Sequence, residues 1–283
     1  MLMKIIGGII LFNPDIYRLK ENVNSILPQV DKLYMIDNCS SNIEEIEREF
    51  KGLRNITIVN NIRNFGVAKG LNQIMEIAKT QGADWVLTLD QDSICPNDLI
   101  VKSSRYIEKR NIGIICPKII DTKINVLLTE PNKDIDYEFV NRCITSASLT
   151  NVEIWNEIGF FNDELFIDYV DFDYCARLFI NNYKILRMND VALSHQLGDS
   201  KIKKLFFKEI RVTNHSAFRK YFIARNITYY IRKYRKVMNV KLEYLRLIKV
   251  LTLAIFFESN KKEKIKNYFK GILHGLKMNL KND

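Results

Sequence analysis

The sequence predicts an α/β fold: a Rossmann-like, mostly parallel central sheet with flanking helices, followed by a basic helical extension. Three observations carry that reading. Short apolar runs alternate with amphipathic stretches through the first half of the chain, the order of a parallel sheet covered on both faces. Four of those runs end in Asn or Asp, at Asn13, Asp37-Asn38, Asn60-Asn61 and Asp90-Gln91-Asp92. Charge is also divided along the chain. Residues 201–283 hold 22 Lys and Arg against 5 Asp and Glu, a net of +17, whereas residues 1–200 hold 21 against 28, a net of −7.

Residues 5–12 read as the first strand. A Lys precedes this apolar run, but no small-residue cleavage site follows and the run stops at Asn-Pro-Asp. A core strand is therefore expected rather than an export signal. Residues 15–27 read as a helix with Ile16, Leu19, Val23, Ile26 and Leu27 on one face. Strands follow at 32–36, 56–59, 85–89 and 112–116, separated by helices at 43–50, 67–79 and 97–109. The pattern then changes. Residues 121–141 are polar and read as a loop or inserted hairpin, 143–149 as a strand, and 151–157 as a short helix stopped by Gly159. Residues 166–182 hold an acidic helix start, and 183–187 and 191–194 read as short strands near His195.

From Lys201 the chain is expected to be helical, so a core of residues 1–200 is divided from a basic region of 201–283. Residues 217–235 interleave Arg219, Tyr221, Phe222, Arg225, Asn226, Tyr229 and Tyr230. Residues 242–257 are apolar, too short to span a bilayer comfortably but suited to lying in its interface. The five scattered cysteines lack metal spacing and read as reduced thiols of a cytosolic protein.

Ligands of such sheets gather beyond the carboxyl ends of the strands, where the Asn and Asp clusters fall. Taken singly, Asn13 and Asn61 are accounted for by turns and caps. Asp90 and Asp92 are not, since one cap would suffice and two carboxylates repel. Two Asp at i and i+2 on a loop can share one Mg²⁺ or Mn²⁺, whose other positions go to waters and substrate phosphates. That arrangement suits a site gripping a nucleoside diphosphate. The alternative is an acid/base pair, as in glycoside hydrolysis, which two acids so close on one loop fit less well. Neither dinucleotide nor phosphate-loop fingerprints are present: Gly7-Gly8 lies inside the first strand, and GVAKG at 66–70 lacks Gly-Lys-Ser/Thr.

Taken together and in order, the segments LFNPD (11–15), IDNCSSN (36–42), NIRNFGVAKGLNQ (61–73), TLDQDSI (88–94), TSASLTNVEIWNEIGFFNDELFID (145–168), YVDFDYCARL (169–178) and ALSHQLGD (192–199) resemble the family 2 glycosyltransferases of GT-A fold. They are most similar to bacterial rhamnosyltransferases of surface-polysaccharide assembly, such as capsule or O-antigen. RKYFIARN (219–226) resembles that family's later basic-aromatic motif. The resemblance implies nucleotide or donor contacts from Asn13, Asp37, Asn64, Gly66, Lys69, Asp90 and Gln91. It implies a metal site from Asp90, Asp92 and His195, and Asp171 as catalytic base. Thr145, Ser146, Trp155 and Asp173 would lie near the acceptor or donor sugar, although packing is the commoner use of a residue such as Trp155.

Independent chemistry points the same way. Inverting transfer needs a base for the acceptor hydroxyl and positive charge for the departing diphosphate. Asp168, Asp171 and Asp173 are the available bases, with Asp171 preferred. The alternative is that all three are helix N-terminal charges favoured by the dipole. The resemblance, not this chemistry, implies dTDP-L-rhamnose as the donor, with a UDP-hexose second, and a polyprenyl-diphosphate-linked saccharide as the acceptor. The basic region either attaches the enzyme to the inner face of the cell membrane or packs as helices that complete the fold or a homodimer. Two other classes fit less well. A nucleotidyltransferase would carry a Gly-rich basic loop where Asn13-Pro14-Asp15 stands, and a nucleic-acid-binding protein would leave the acidic strand ends without a use.

Overall fold

The computed structural model describes residues 3–121, 126–127, 135–195, 201–205 and 208–280. The chain packs as two units. One comprises Met1–Glu164 with Tyr174–Gln196, the other Leu165–Asp173 with Leu197–Asp283. The second unit thus draws in a short segment, Leu165–Asp173, that lies well before the division expected at residue 200.

In the first unit β1 (Ile5–Leu11), β2 (Lys32–Asp37), β3 (Ile56–Asn60) and β4 (Trp85–Asp90) run parallel, joined by α1 (Ile16–Ile26), α2 (Ile43–Glu49) and α3 (Val67–Thr80). After α4 (Leu99–Ile107) come β5 (Ile112–Asp121), β6 (Val126–Leu127), β7 (Tyr137–Val140), β8 (Ser148–Asn151), α5 (Val152–Ile158), α6 (Val170–Ile180) and β9 (Lys184–His195). The sheet order is β3-β2-β1-β4-β8-β5-β9-β7, with β6 on β5. β1 lies between β2 and β4, which is why Ile5, Ile6, Ile9 and Leu11 are all buried and no polar residue interrupts it. Asp15 caps α1 by accepting from the Arg18 amide at 2.8 Å.

Three elements differ from the sequence reading. β4 and β5 are not neighbours: β8 lies between them, antiparallel to both. Ser148, Leu149 and Thr150 of β8 are all buried, as a central strand requires. The strand begins only at Ser148 because Ala147, at φ 57°, turns the chain into it. The two short strands expected at 183–187 and 191–194 form one strand, β9. The polar pair Asn189-Asp190 that reads as a turn falls where the register with β5 slips between Pro117 and Lys118, a bulge.

The second unit opens with an antiparallel hairpin, β10 (Lys201–Leu205) and β11 (Lys208–Val212), where helix was expected. Ile210 and Val212 alternate with Glu209 and Arg211 there, a strand period concealed by the basic composition. Helices α7 (Ala217–Tyr234), α8 (Lys241–Phe256) and α9 (Lys261–Lys277) follow. Buried Glu258 accepts from Lys220 at 2.6 Å and Lys264 at 3.0 Å, fastening the turn after α8 to both other helices.

The helices α7 and α9 touch backbone to backbone at Gly271 and Gly275. A Cβ at Gly271 would overlap the Tyr221 carbonyl oxygen, and one at Gly275 the Arg225 carbonyl oxygen. Gly275→Val is therefore expected to cost about 3 kcal/mol through overpacking. Thermal denaturation followed by circular dichroism checks this, and an unchanged melting temperature would contradict so close an approach.

Candidate functional site

The carboxyl ends of β1, β2, β3 and β4 form one face of the first unit, and a side-chain network ties their loops together. Asn13, at φ 48° after β1, accepts from the Ser41 amide at 2.7 Å and the Ser41 hydroxyl at 2.9 Å. Its own amide donates to Ser40 Oγ at 2.8 Å. Asp37 ends β2 and is 1 % exposed. Its Oδ2 accepts from the Ser40 amide at 2.9 Å, while its Oδ1 is buried without a hydrogen-bond partner among the described residues. Asn38 donates to the Gly66 carbonyl at 3.1 Å and accepts from Asn61 at 3.0 Å. Asn64 accepts from the Gly66 amide at 2.8 Å. Gly66, at φ 87°, turns the chain into α3, a conformation that favours glycine. Lys69, in the first turn of α3, is half exposed and pairs with Asp163 at 3.3 Å.

Asp90 and Asp92 are both exposed at the end of β4. The Asp90 carbonyl accepts from Asn22 at 2.5 Å and from the Ser93 amide at 3.0 Å, and the Asp92 carbonyl from Arg18 at 2.8 Å. Gln91 between them has a different task. Its Oε1 accepts from the Phe12 amide at 2.8 Å and its Nε2 donates to the Phe12 carbonyl at 3.3 Å, so it straps the β4 loop to the β1 loop. The antiparallel β8 brings the 145–147 turn to the same place. Thr88 Oγ1 donates to the Thr145 carbonyl at 2.6 Å, and the Asp90 amide donates to Ser146 Oγ at 3.1 Å. Thr145 and Ser146 thus stand beside the acidic pair. Trp155 is elsewhere: it is fully buried in α5 with the Phe160 ring 4.5 Å away, and presents no face to a sugar. The His195 backbone closes β9, but its side chain lies outside the described residues.

The segment Leu165–Asp173 belongs to the second unit and has an unusual backbone. Phe166, Asp168 and Tyr169 all have φ between 61° and 68°, left-handed values that cost non-glycine residues of order 1–3 kcal/mol each. Side chains of α7 and α8 hold it. Asn226, 0 % exposed, shares the two N–H groups of its side-chain amide among the carbonyls of Leu165, Ile167 and Asp168, each 2.8 Å away. Arg225 orients that amide by donating to Asn226 Oδ1 at 2.8 Å. Arg219 grips Asp168 with two bonds of 3.2 and 3.0 Å. Tyr169 donates to Glu243, which also pairs with Arg246. Burial, with the bond to Glu243 added, pushes the Tyr169 phenol far above its usual range, so it remains a donor.

The three acids on this segment consequently differ. Asp168 is paired to Arg219. Asp173 is 0 % exposed, accepting from Tyr234 at 2.8 Å with Lys233 3.7 Å away. Asp171, in the first turn of α6, is only partly buried.

The Glycosyl transferase family 2 pattern matches residues 9–187, more than half of the chain. The chain belongs to glycosyl transferase family 2. Among similar members is the dTDP-rhamnosyl transferase RfbF of Shigella flexneri, 26% identical over 95% of this chain and 94% of that protein. Among solved structures, S. aureus TarS (residues 1–349) aligns with TM-score 0.53 at 14% identity over 97% of this chain and 92% of that one. GalNAc-T7 with UDP, GalNAc and Mn²⁺ aligns with TM-score 0.63 at 13% identity, over 98% of this chain and 56% of that one. The fold of this family 2 transferase is accordingly GT-A, as the motifs implied. Sequence reasoning gave no role to Asn38, Ser40, Glu243 or Tyr234, and named Asn226 without giving it one. An Asn amid Arg and Tyr on an amphipathic helix was the one available signal for that clamp.

Proposed function

We propose that this family 2 transferase moves L-rhamnose from dTDP-L-rhamnose to a hydroxyl of a polyprenyl-diphosphate-linked saccharide, in surface-polysaccharide assembly, by a metal-dependent inverting displacement. The observation that carries the donor class is the buried, unpaired Oδ1 of Asp37. An unmet buried acceptor is costly, and the single imide N–H of thymine or uracil matches it. Guanine offers two adjacent donors, and Oδ2 of Asp37 already accepts from the Ser40 amide. Likeness to a dTDP-rhamnosyl transferase over nearly the whole chain supports rhamnose. Uracil presents the same imide, so a UDP-hexose is the second reading.

Asp90 and Asp92 offer the hard oxygen donors that Mg²⁺ or Mn²⁺ prefers, with His195 as the further ligand. When bound, the ion supplies positive charge to the departing diphosphate. Lys69 adds a second positive charge on the donor side, where Asn64 and Gly66 shape the turn. Thr145 and Ser146 would face the sugar. Asp171 takes the acceptor hydroxyl's proton as that oxygen attacks the anomeric carbon with inversion. The enzyme would work at the inner face of the cell membrane, with residues 1–200 carrying the chemistry and 201–283 the attachment.

Thermal stability with UDP, dTDP, GDP and CMP, each with and without Mn²⁺, tests the donor and metal together. The wild-type chain is expected to gain several degrees with dTDP plus Mn²⁺, and less with GDP. Asp92→Ala should lose the metal-linked part, and Asp37→Ala should lower dTDP affinity about tenfold, the value of one good buried hydrogen bond. A preference for UDP would retain the enzyme class and replace rhamnose. No shift with any nucleotide would remove the donor site.

A further inference from the structure

We infer that α8, together with the outer face of α9, is an interfacial membrane anchor that docks on an anionic lipid surface. This deepens the membrane attachment proposed above without depending on the transfer chemistry. α8 buries Glu243, Leu253 and Ala254. Its opposite side carries Tyr244, Leu245, Ile248 and Phe256, from 51% to 66% exposed. A solvated helix face is normally polar, and a contiguous apolar face on a soluble surface marks an interaction site.

The charges around it select the occupant. Lys241 and Lys249 are exposed on the same helix, while Arg246 is held by Glu243. Its one acidic residue, Glu243, is fully buried beside Tyr169, so α8 shows no negative charge to solvent. α9 carries Phe269, Leu273 and Leu276 half exposed or more, with Lys262, Lys266 and Lys270 exposed beside them and one exposed acid, Glu263, in its first turn. Apolar residues bordered by lysines are the pattern of a helix lying in the plane of a bilayer, and each basic residue gains from anionic headgroups. A second copy is the less suitable partner. A two-fold contact would set the same patch against itself, lysines facing lysines. Spanning is also excluded for these helices: among the described residues no helix is long and apolar enough to cross a membrane.

The test is flotation of the full chain with vesicles of phosphatidylcholine alone or with about one-third phosphatidylglycerol, in low and high salt, with the solution mass measured in parallel. Wild type is expected to float with the anionic vesicles and at least tenfold less with neutral ones. Leu245→Asp combined with Ile248→Asp changes two exposed residues, so the fold should persist, and is expected to reduce flotation at least tenfold. Retained melting temperature and a retained nucleotide-induced thermal shift show that the variant is folded and that the donor site is intact. Wild type that stays unbound, or a double variant that floats like wild type, would overturn the anchor. So would a wild-type dimer that the double variant makes monomeric without any lipid binding, which would assign the face to a second copy.

Discussion

Asp171→Asn is expected to reduce the rate of sugar transfer by about 10³-fold, while melting temperature and donor affinity stay near those of wild type. The magnitude follows from loss of a general base, whose contribution is typically 10²–10⁴-fold. The selectivity follows from position. Asp171 opens α6 as a partly buried side chain whose Oδ1 accepts from the Phe172 amide at 2.8 Å, a bond that the amide oxygen of Asn can also accept. Its neighbours should behave differently. Asp173→Asn disturbs a fully buried carboxylate that accepts from Tyr234 and lies near Lys233, so its main effect should be on stability. Asp168→Asn weakens the grip of Arg219 and should lower stability and rate together. Kinetics and melting curves of the three variants decide the assignment. An active Asp171→Asn beside a folded but inactive Asp173→Asn would move the base to Asp173.

How much of this was legible depended on how local each cause was. The acidic pair after β4 was visible because an apolar run of the right length stopped on it. Gly159 as the stop of α5 was equally local. What the sequence concealed was pairing. Nothing within residues 148–151 says that this strand enters between β4 and β5, because the statement concerns partners far away in the chain. Yet that insertion sets Thr145 and Ser146 beside Asp90. Gln91 illustrates the same limit. A residue between two acids that read as a metal site invites a donor-site role, whereas its amide is matched to the Phe12 backbone some eighty residues earlier. Trp155 had packing and sugar contact as competing uses, and its complete burial decides for packing.

Asn226 shows where such hidden pairing matters most, and Asn226→Asp is expected to lower kcat about 10²-fold without altering nucleotide-induced thermal shifts. The substitution keeps shape and removes the donor, turning a carboxylate toward three carbonyl oxygens that now lack it. The left-handed residues Phe166, Asp168 and Tyr169 are stable only while such bonds over-determine them, so the segment should relax and carry Asp171 out of register with the acceptor. Misplacement by about 1 Å suffices for a loss of that size. A fall in melting temperature of at least about 5 °C should accompany it, since loss of one to two buried hydrogen bonds is joined by repulsion between a buried carboxylate and the carbonyl oxygens. Donor binding reports separately, because Asp37, Asp90 and Asp92 belong to the first unit and Asn226 to the second. Asn226 is thus a positioning residue, and the split between kcat and donor affinity, measured below the melting transition, is the readout that mere destabilisation would not give. Wild-type kcat in a folded Asn226→Asp chain would mean that the strained segment holds Asp171 in place without its clamp, and the positioning role would fall.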